Sequence, residues 1–151
     1  TFEKNYHIRF IEFMPANCNG IWAKDKCVSS AEILQQISSL GNLERLTFKG
    51  RGPSRNFRFK GAAGVIGIIS PLSDHFCGYC NRLRLTANGK IRPCLFSRDE
   101  VDIKTPMREG ASDDEIDKLF LRAVKIKPQR HHLDEDPASG GHLKAMSKIG
   151  G

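Results

Sequence analysis

The chain has 151 residues, 39% hydrophobic and 27% charged, a composition of ordinary globular proteins that sets aside disordered and fibrous classes. Its longest apolar runs, such as Val65-Ile66-Gly67-Ile68-Ile69, are far shorter than the roughly 20 residues of a membrane helix. The net charge of +7 favours a polyanionic partner. It is concentrated between Arg45 and Arg98, where eleven basic residues and one acid, Asp74, give a local charge of +10.

In chain order, Thr1 to His7 has neither the basic and apolar regions nor the cleavage site of an export signal, so a cytoplasmic location is expected. His7 to Met14, HIRFIEFM, is rich in β-formers and stops at Pro15, so it reads as a buried strand in which Arg9 and Glu12 are conspicuous. Residues 17 to 26 read as loop. Ser29 and Glu32 form a capping box for a helix with Ala31, Ile33, Leu34 and Ile37 on its apolar face, ending at Gly41. Strands follow at Leu43 to Phe48, Asn56 to Phe59 and Val65 to Ser70, close enough to suggest an antiparallel meander.

The Cys77-Gly78-Tyr79-Cys80 turn leads into Arg82 to Ala87 and Lys90 to Phe96, which flank the hairpin dipeptide Asn88-Gly89. A two-residue turn sets Ala87 opposite Lys90 and Leu83 opposite Cys94, with Cys94 on the face away from Arg82 and Arg84; Pro93 marks a place where this parity can change. Ser112 and Glu115 make a second capping box, opening a helix with Ile116, Leu119, Phe120, Ala123 and Val124 that ends before Pro128. From Pro128 the chain is polar and aperiodic and reads as a flexible tail ending in Gly150-Gly151. The expected organisation is therefore 1–42, 43–127 and 128–151, in an α+β fold with a small antiparallel sheet and flanking helices.

The chemistry lies in the cysteines. Five cysteines and no export signal argue against a disulfide framework, and three of them form C-x2-C-x13-C: Cys77, Cys80 and Cys94. Three thiolates suit a cubane iron-sulfur cluster with one iron left open. A zinc site needs a fourth donor, with His75 local and His131, His132 and His142 remote. Cys18 and Cys27 read as unligated thiols, and Phe13 and Met14 by type as core residues. Arg82 and Arg84 alternate with Leu83 and Leu85, giving a cationic strand face suited to phosphate. A zinc-stabilised basic β module binding nucleic acid is the alternative reading, although few aromatics interleave the basic stretch.

FCGYCNRLRLTANGKIRPCLF, together with RFIEFMP, GPSRNFRFKGAAGVIGIISPLS and the terminal IGG, resembles the C-terminal part of the GTP 3′,8-cyclase (MoaA) family, radical S-adenosylmethionine enzymes of molybdenum cofactor biosynthesis. The resemblance implies the C-terminal portion of an incomplete (β/α) barrel, with residues 1–42 holding its last strand and following helix. It implies Cys77, Cys80 and Cys94 as ligands of a substrate-binding 4Fe-4S cluster. Arg82, Leu83, Arg84 and Arg9 are then GTP contacts, Met14 an S-adenosylmethionine contact, and Gly150 and Gly151 a tail reaching the active site. The family's radical-generating C-x3-C-x2-C cluster motif does not occur in these 151 residues. The expectation is thus a fragment, inactive alone, of a homodimeric enzyme that rearranges GTP to (8S)-3′,8-cyclo-7,8-dihydroguanosine 5′-triphosphate. Its partners are GTP and the N-terminal half, with neither membrane nor nucleic acid. Asn88 stands where the family has Asp, an equally good turn residue.

Overall fold

The computed structural model describes residues 1–15, 23–47, 52–131 and 133. The architecture is α+β, with strands and helices arranged in two compact units. Among the described residues the first unit holds 1–14 and 23–80, and the second holds 15, 81–131 and 133. The division falls between Cys80 and Asn81, inside the expected 43–127 stretch.

The first unit is a four-stranded sheet in the order β1-β4-β3-β2, made of β1 (His7–Ile11), β2 (Leu43–Leu46), β3 (Ser54–Phe59) and β4 (Val65–Ile69). The meander expected of β2, β3 and β4 is present, with Leu43 opposite Phe59 and Phe57 opposite Ile66. The sheet is nevertheless mixed, because β1 runs parallel to β4 with Arg9 beside Gly67. This parallel pair departs from the small antiparallel sheet that was expected. A parallel pair needs a long crossover, and helix α1 (Ser30–Ser38) with the first two meander strands supplies it.

β1 is also shorter than expected and is not buried. It is an edge strand with all five residues exposed. Apolar composition identified the strand, but burial depends on a neighbour that no described residue provides. The opposite outcome holds across the sheet. Phe59, Ile66 and Ile68 pack with Ile37 of α1 and Ala62 into a buried core, with Ile33, Leu34, Leu43 and Phe57 around it. Since paired residues share a sheet face, the other face carries Arg9, Gly67, Asn56 and Leu46 across the four strands.

α1 begins as its sequence dictates. The Ser29 hydroxyl accepts the Glu32 amide at 3.2 Å, and the Glu32 carboxylate accepts the Ser29 amide at 2.9 Å.

The second unit holds β5 (Arg84–Leu85), β6 (Lys90–Arg92) and β7 (Val101–Asp102) in one antiparallel sheet, with helices α2 (Lys104–Arg108) and α3 (Asp113–Lys125). Ile91, Val101, Ile103 and Ala123 form its core, against which Leu83 and Leu119 pack. α3 starts where the capping box places it, with Glu115 accepting from the Ser112 amide and hydroxyl. β7 and α2 were not expected.

The hairpin register differs from the two-residue reading: Leu85 pairs Ile91 and Arg84 pairs Arg92. The loop has three residues, Ala87 to Gly89, between Thr86 and Lys90. The Thr86 amide donates to the Lys90 carbonyl at 2.9 Å, and the Thr86 hydroxyl accepts the Lys90 amide. Gly89 takes a left-handed conformation, with φ +80°. The register shift puts Arg92 across from Arg84, and the strand ends there because Pro93 cannot continue the ladder. The expected pairing of Leu83 with Cys94 does not form. Beyond α3, His131 and Leu133 are buried, so the stretch expected to be a flexible tail starts with packed residues.

Candidate functional site

The first unit contains a cavity of about 540 Å³ on the side of the sheet carrying Arg9. His7, Arg9, Ser54, Asn56, Ile69 and Tyr79 line it, together with Arg45 and Arg55. Its floor depends on Gly67. A β-carbon there would stand 3.2 Å from Cγ of Arg9 and 3.3 Å from Oδ1 of Asn56, and closer still to the Ser54 hydroxyl. Strand alternation puts Arg9 on this face, and the absent side chain at position 67 lets its stem lie beside Asn56. Asn56 is held by Ser54, whose hydroxyl donates to its Oδ1 at 3.0 Å and whose carbonyl accepts from its Nδ2 at 3.1 Å. Three arginines, a histidine and an oriented amide make the cavity suited to a polar anion.

At the end of β1, Glu12 is 4% exposed, and its carboxylate is hydrogen-bonded rather than ion-paired. It accepts the amides of Ser30 at 2.8 Å and of Leu72 and Ser73 at 3.0 Å, and the Ser73 hydroxyl. Burial alone would raise this carboxyl, but the bonds from Ser73, Leu72 and Ser30 outweigh it and hold it below the usual carboxylate range. Arg55 borders the same loop. Its Nη2 donates to the Ser30 and Ser70 hydroxyls, each at 3.1 Å, and its Nη1 lies 2.6 Å from Asp74. Met14, two residues beyond Glu12, is half-buried.

The loop bound by Glu12 and Arg55 runs into the C-x2-C turn. Cys77 to Tyr79 form a single 3-10 turn closed by the Cys80 amide donating to the Cys77 carbonyl at 3.1 Å. The Phe76 and Tyr79 rings lie 6.4 Å apart, and Tyr79 also borders the cavity. Cys77 and Cys80 therefore belong to the first unit, and Cys94, Arg82, Leu83 and Arg84 to the second.

In the second unit the hairpin's open end is tied by Lys127, whose Nζ donates to the carbonyls of Arg82 and Pro93 at 2.7 Å each. Sequence patterning gave no hint of this role, because a lysine at a helix end reads as solvated. Arg92 is buried and lies 3.4 Å from Glu100, which also faces Lys90 at 3.9 Å. Leu83 packs on the core while Leu85 is 59% exposed, so the expected apolar face is divided.

Cys27, Cys77, Cys80 and Cys94 are thiols, outside any disulfide and each partly accessible. By number and type, Cys77, Cys80 and Cys94 suit a cubane cluster. Among the described residues no three His, Cys, Asp or Glu side chains form a group that could hold a metal ion. His131, one of the remote donors considered for zinc, is buried against Phe96 with the rings 5.0 Å apart. Cys18, His132, His142, Gly150 and Gly151 lie outside the described residues. No described helix is long and apolar enough to cross a membrane.

Fold and site together define an α+β protein with a basic cavity beside a C-x2-C turn. The chain belongs to the Molybdenum Cofactor Synthesis C family, whose model matches residues 6–133. Among curated proteins it is 44% identical to a GTP 3′,8-cyclase of Pelotomaculum thermopropionicum, over all of this chain and 46% of that protein. It is 46% identical to one from Thermodesulfovibrio yellowstonii, over 97% of this chain and 44% of that protein. A third, from Nostoc punctiforme, is 38% identical over all of this chain and 47% of its own length. The chain thus spans just under half the length of the curated relatives it matches.

Proposed function

We propose that this chain forms the GTP-binding portion of a GTP 3′,8-cyclase, which rearranges GTP to (8S)-3′,8-cyclo-7,8-dihydroguanosine 5′-triphosphate in molybdenum cofactor biosynthesis. The observation that carries the reading is the 37–46% identity, over 96% or more of this chain, to relatives bearing that enzyme's name. The basic cavity is the structural feature that supports it.

In this reading Cys77, Cys80 and Cys94 hold a 4Fe-4S cluster. When bound, that cluster supplies an iron for the guanine base, while S-adenosylmethionine and a second cluster, carried by the longer protein, supply the radical chemistry. The chain's own residues bind and orient. Arg9, Arg82 and Arg84 neutralise the triphosphate, with Leu83 between the last two fixing the strand to its core. Met14 contacts S-adenosylmethionine, and Gly150 and Gly151, outside the described residues, serve the reaction. Held this way, the ribose and base meet in one orientation and away from water, which is where most of the rate advantage of a positioned intramolecular step arises.

β1 is then the last strand of an incomplete (β/α) barrel. Its parallel pairing to β4 and the exposed Ile8, Phe10 and Ile11 along its edge support that place. The assembled enzyme is a cytoplasmic homodimer, and this part alone is inactive.

The discriminating experiment compares two cations. Loss of a charge-assisted phosphate contact in Arg82→Ala should raise the Kd for GTP on the order of ten- to a hundredfold. Lys118→Ala, at an exposed position of α3, should leave it nearly unchanged. Equal losses would mean that only net charge matters and would contradict the assignment.

A further inference from the structure

We propose that Glu12 is a positioning residue, which clamps loop 70–74 and thereby sets the Cys77–Cys80 turn against the cavity that holds Arg9. The inference rests on the proposed function, in which that turn and that cavity serve one substrate.

Glu12 joins three segments distant in sequence. Its own backbone continues β1, with its amide donating to the Ile69 carbonyl at 3.1 Å. One carboxylate oxygen takes the amide of Ser30 at the start of α1, and the other takes the amides of Leu72 and Ser73. The Ser73 hydroxyl closes the set. A buried carboxylate is tolerated only where donors replace its water. Two of the three amides come from loop 70–74, so the carboxylate and the loop conformation require each other. Arg55 holds the same loop at both ends, through Ser70 and Asp74, and Asp74 is three residues before Cys77. Inside the turn Tyr79 borders the cavity beside Arg9 and Arg55. A displaced loop would therefore move both a proposed ligand pair and a cavity wall. Filling space would need only an apolar side chain at position 12. The fully used hydrogen-bonding capacity is what points to conformational control.

The test measures iodoacetamide modification of individual cysteines in the 151-residue chain, with Cys94 in the second unit as internal control. Glu12→Gln presents an NH2 group to one set of amide donors, and Ser73→Ala removes one loop contact while leaving Glu12 in place. Each should accelerate modification of Cys77 and Cys80 roughly two- to tenfold, the scale of one or two lost hydrogen bonds, with Cys94 unchanged. Equal acceleration at all three cysteines would show general loosening, and unaltered rates at Cys77 and Cys80 would show that the clamp does not reach the turn. Either result overturns the proposal. If Glu12→Gln does not fold, Ser73→Ala decides. The thiol readout needs neither GTP nor iron. A wild-type chain that fails to bind GTP therefore counts against the proposed function, and unaltered thiol rates count against the clamp.

Discussion

At the scale of single residues, the cavity is governed as much by an absent side chain as by its arginines. Gly67 sits in a strand of β-branched residues, where a glycine costs conformational entropy and contributes no packing. Its position explains its use: any β-carbon there crowds Ser54, Arg9 and Asn56 together. Gly67→Val should keep the strand, since valine is a good β-former, yet displace Arg9 and Asn56. The expected result is a folded variant whose GTP affinity, read by titration, falls at least severalfold, and undiminished affinity would show that the floor of the cavity plays no part in binding. Arg9 and Glu12 were visible in the sequence as charges within an apolar strand. The partners of Glu12 were not, because the amides of Ser30, Leu72 and Ser73 carry no side-chain signal and lie 18 to 61 residues away. Lys127 escaped for the same reason, since both groups it binds are backbone carbonyls.

At the scale of elements, local chemistry was legible and tertiary context was not. Both long helices begin at a Ser-x-x-Glu box, and the meander strands follow β-former runs between Gly- and Pro-bearing turns. The hairpin was found but misregistered, because Asn-Gly suits a two-residue turn while the Thr86 hydroxyl favours a three-residue one by capturing the Lys90 amide. α2 has five residues and an internal Pro106, too little for periodicity to show. Gly89 links these elements: its carbonyl accepts the amides of Ile103 and Lys104, so the hairpin loop carries the start of α2.

The helix boxes and the clamp also set the response to acid. Hydrogen bonds from Ser29 hold Glu32 below the usual range, those from Ser112 do so for Glu115, and those from Thr105 for Asp102, as the loop amides do for Glu12. A carboxyl depressed in the folded state contributes stability above its unfolded pKa and loses it as pH falls through its folded value. The thermal midpoint should therefore hold steady down to about pH 5 and decline below about pH 4. Glu12→Gln should decline less steeply. A midpoint that rises on acidification would contradict this assignment of the carboxylates.

At the scale of the molecule, the three thiols divide between the two units, Cys77 and Cys80 in one and Cys94 in the other. The charge has a similar distribution: Arg9 and Arg55 border the cavity of the first unit, while Arg82, Arg84 and Arg92 belong to the hairpin of the second. The residue types and their order were evident in the sequence from the C-x2-C-x13-C spacing and the +10 stretch. The division was not, because spacing along a chain says nothing about which compact unit each residue joins. The proposed function requires those thiols to act as one ligand set. The most direct test is metal content after anaerobic reconstitution with iron and sulfide. About four irons per chain with a broad visible absorption are expected of a cluster on Cys77, Cys80 and Cys94, and Cys94→Ala should abolish both. One bound zinc with no visible band, or iron retained undiminished in Cys94→Ala, would contradict the account.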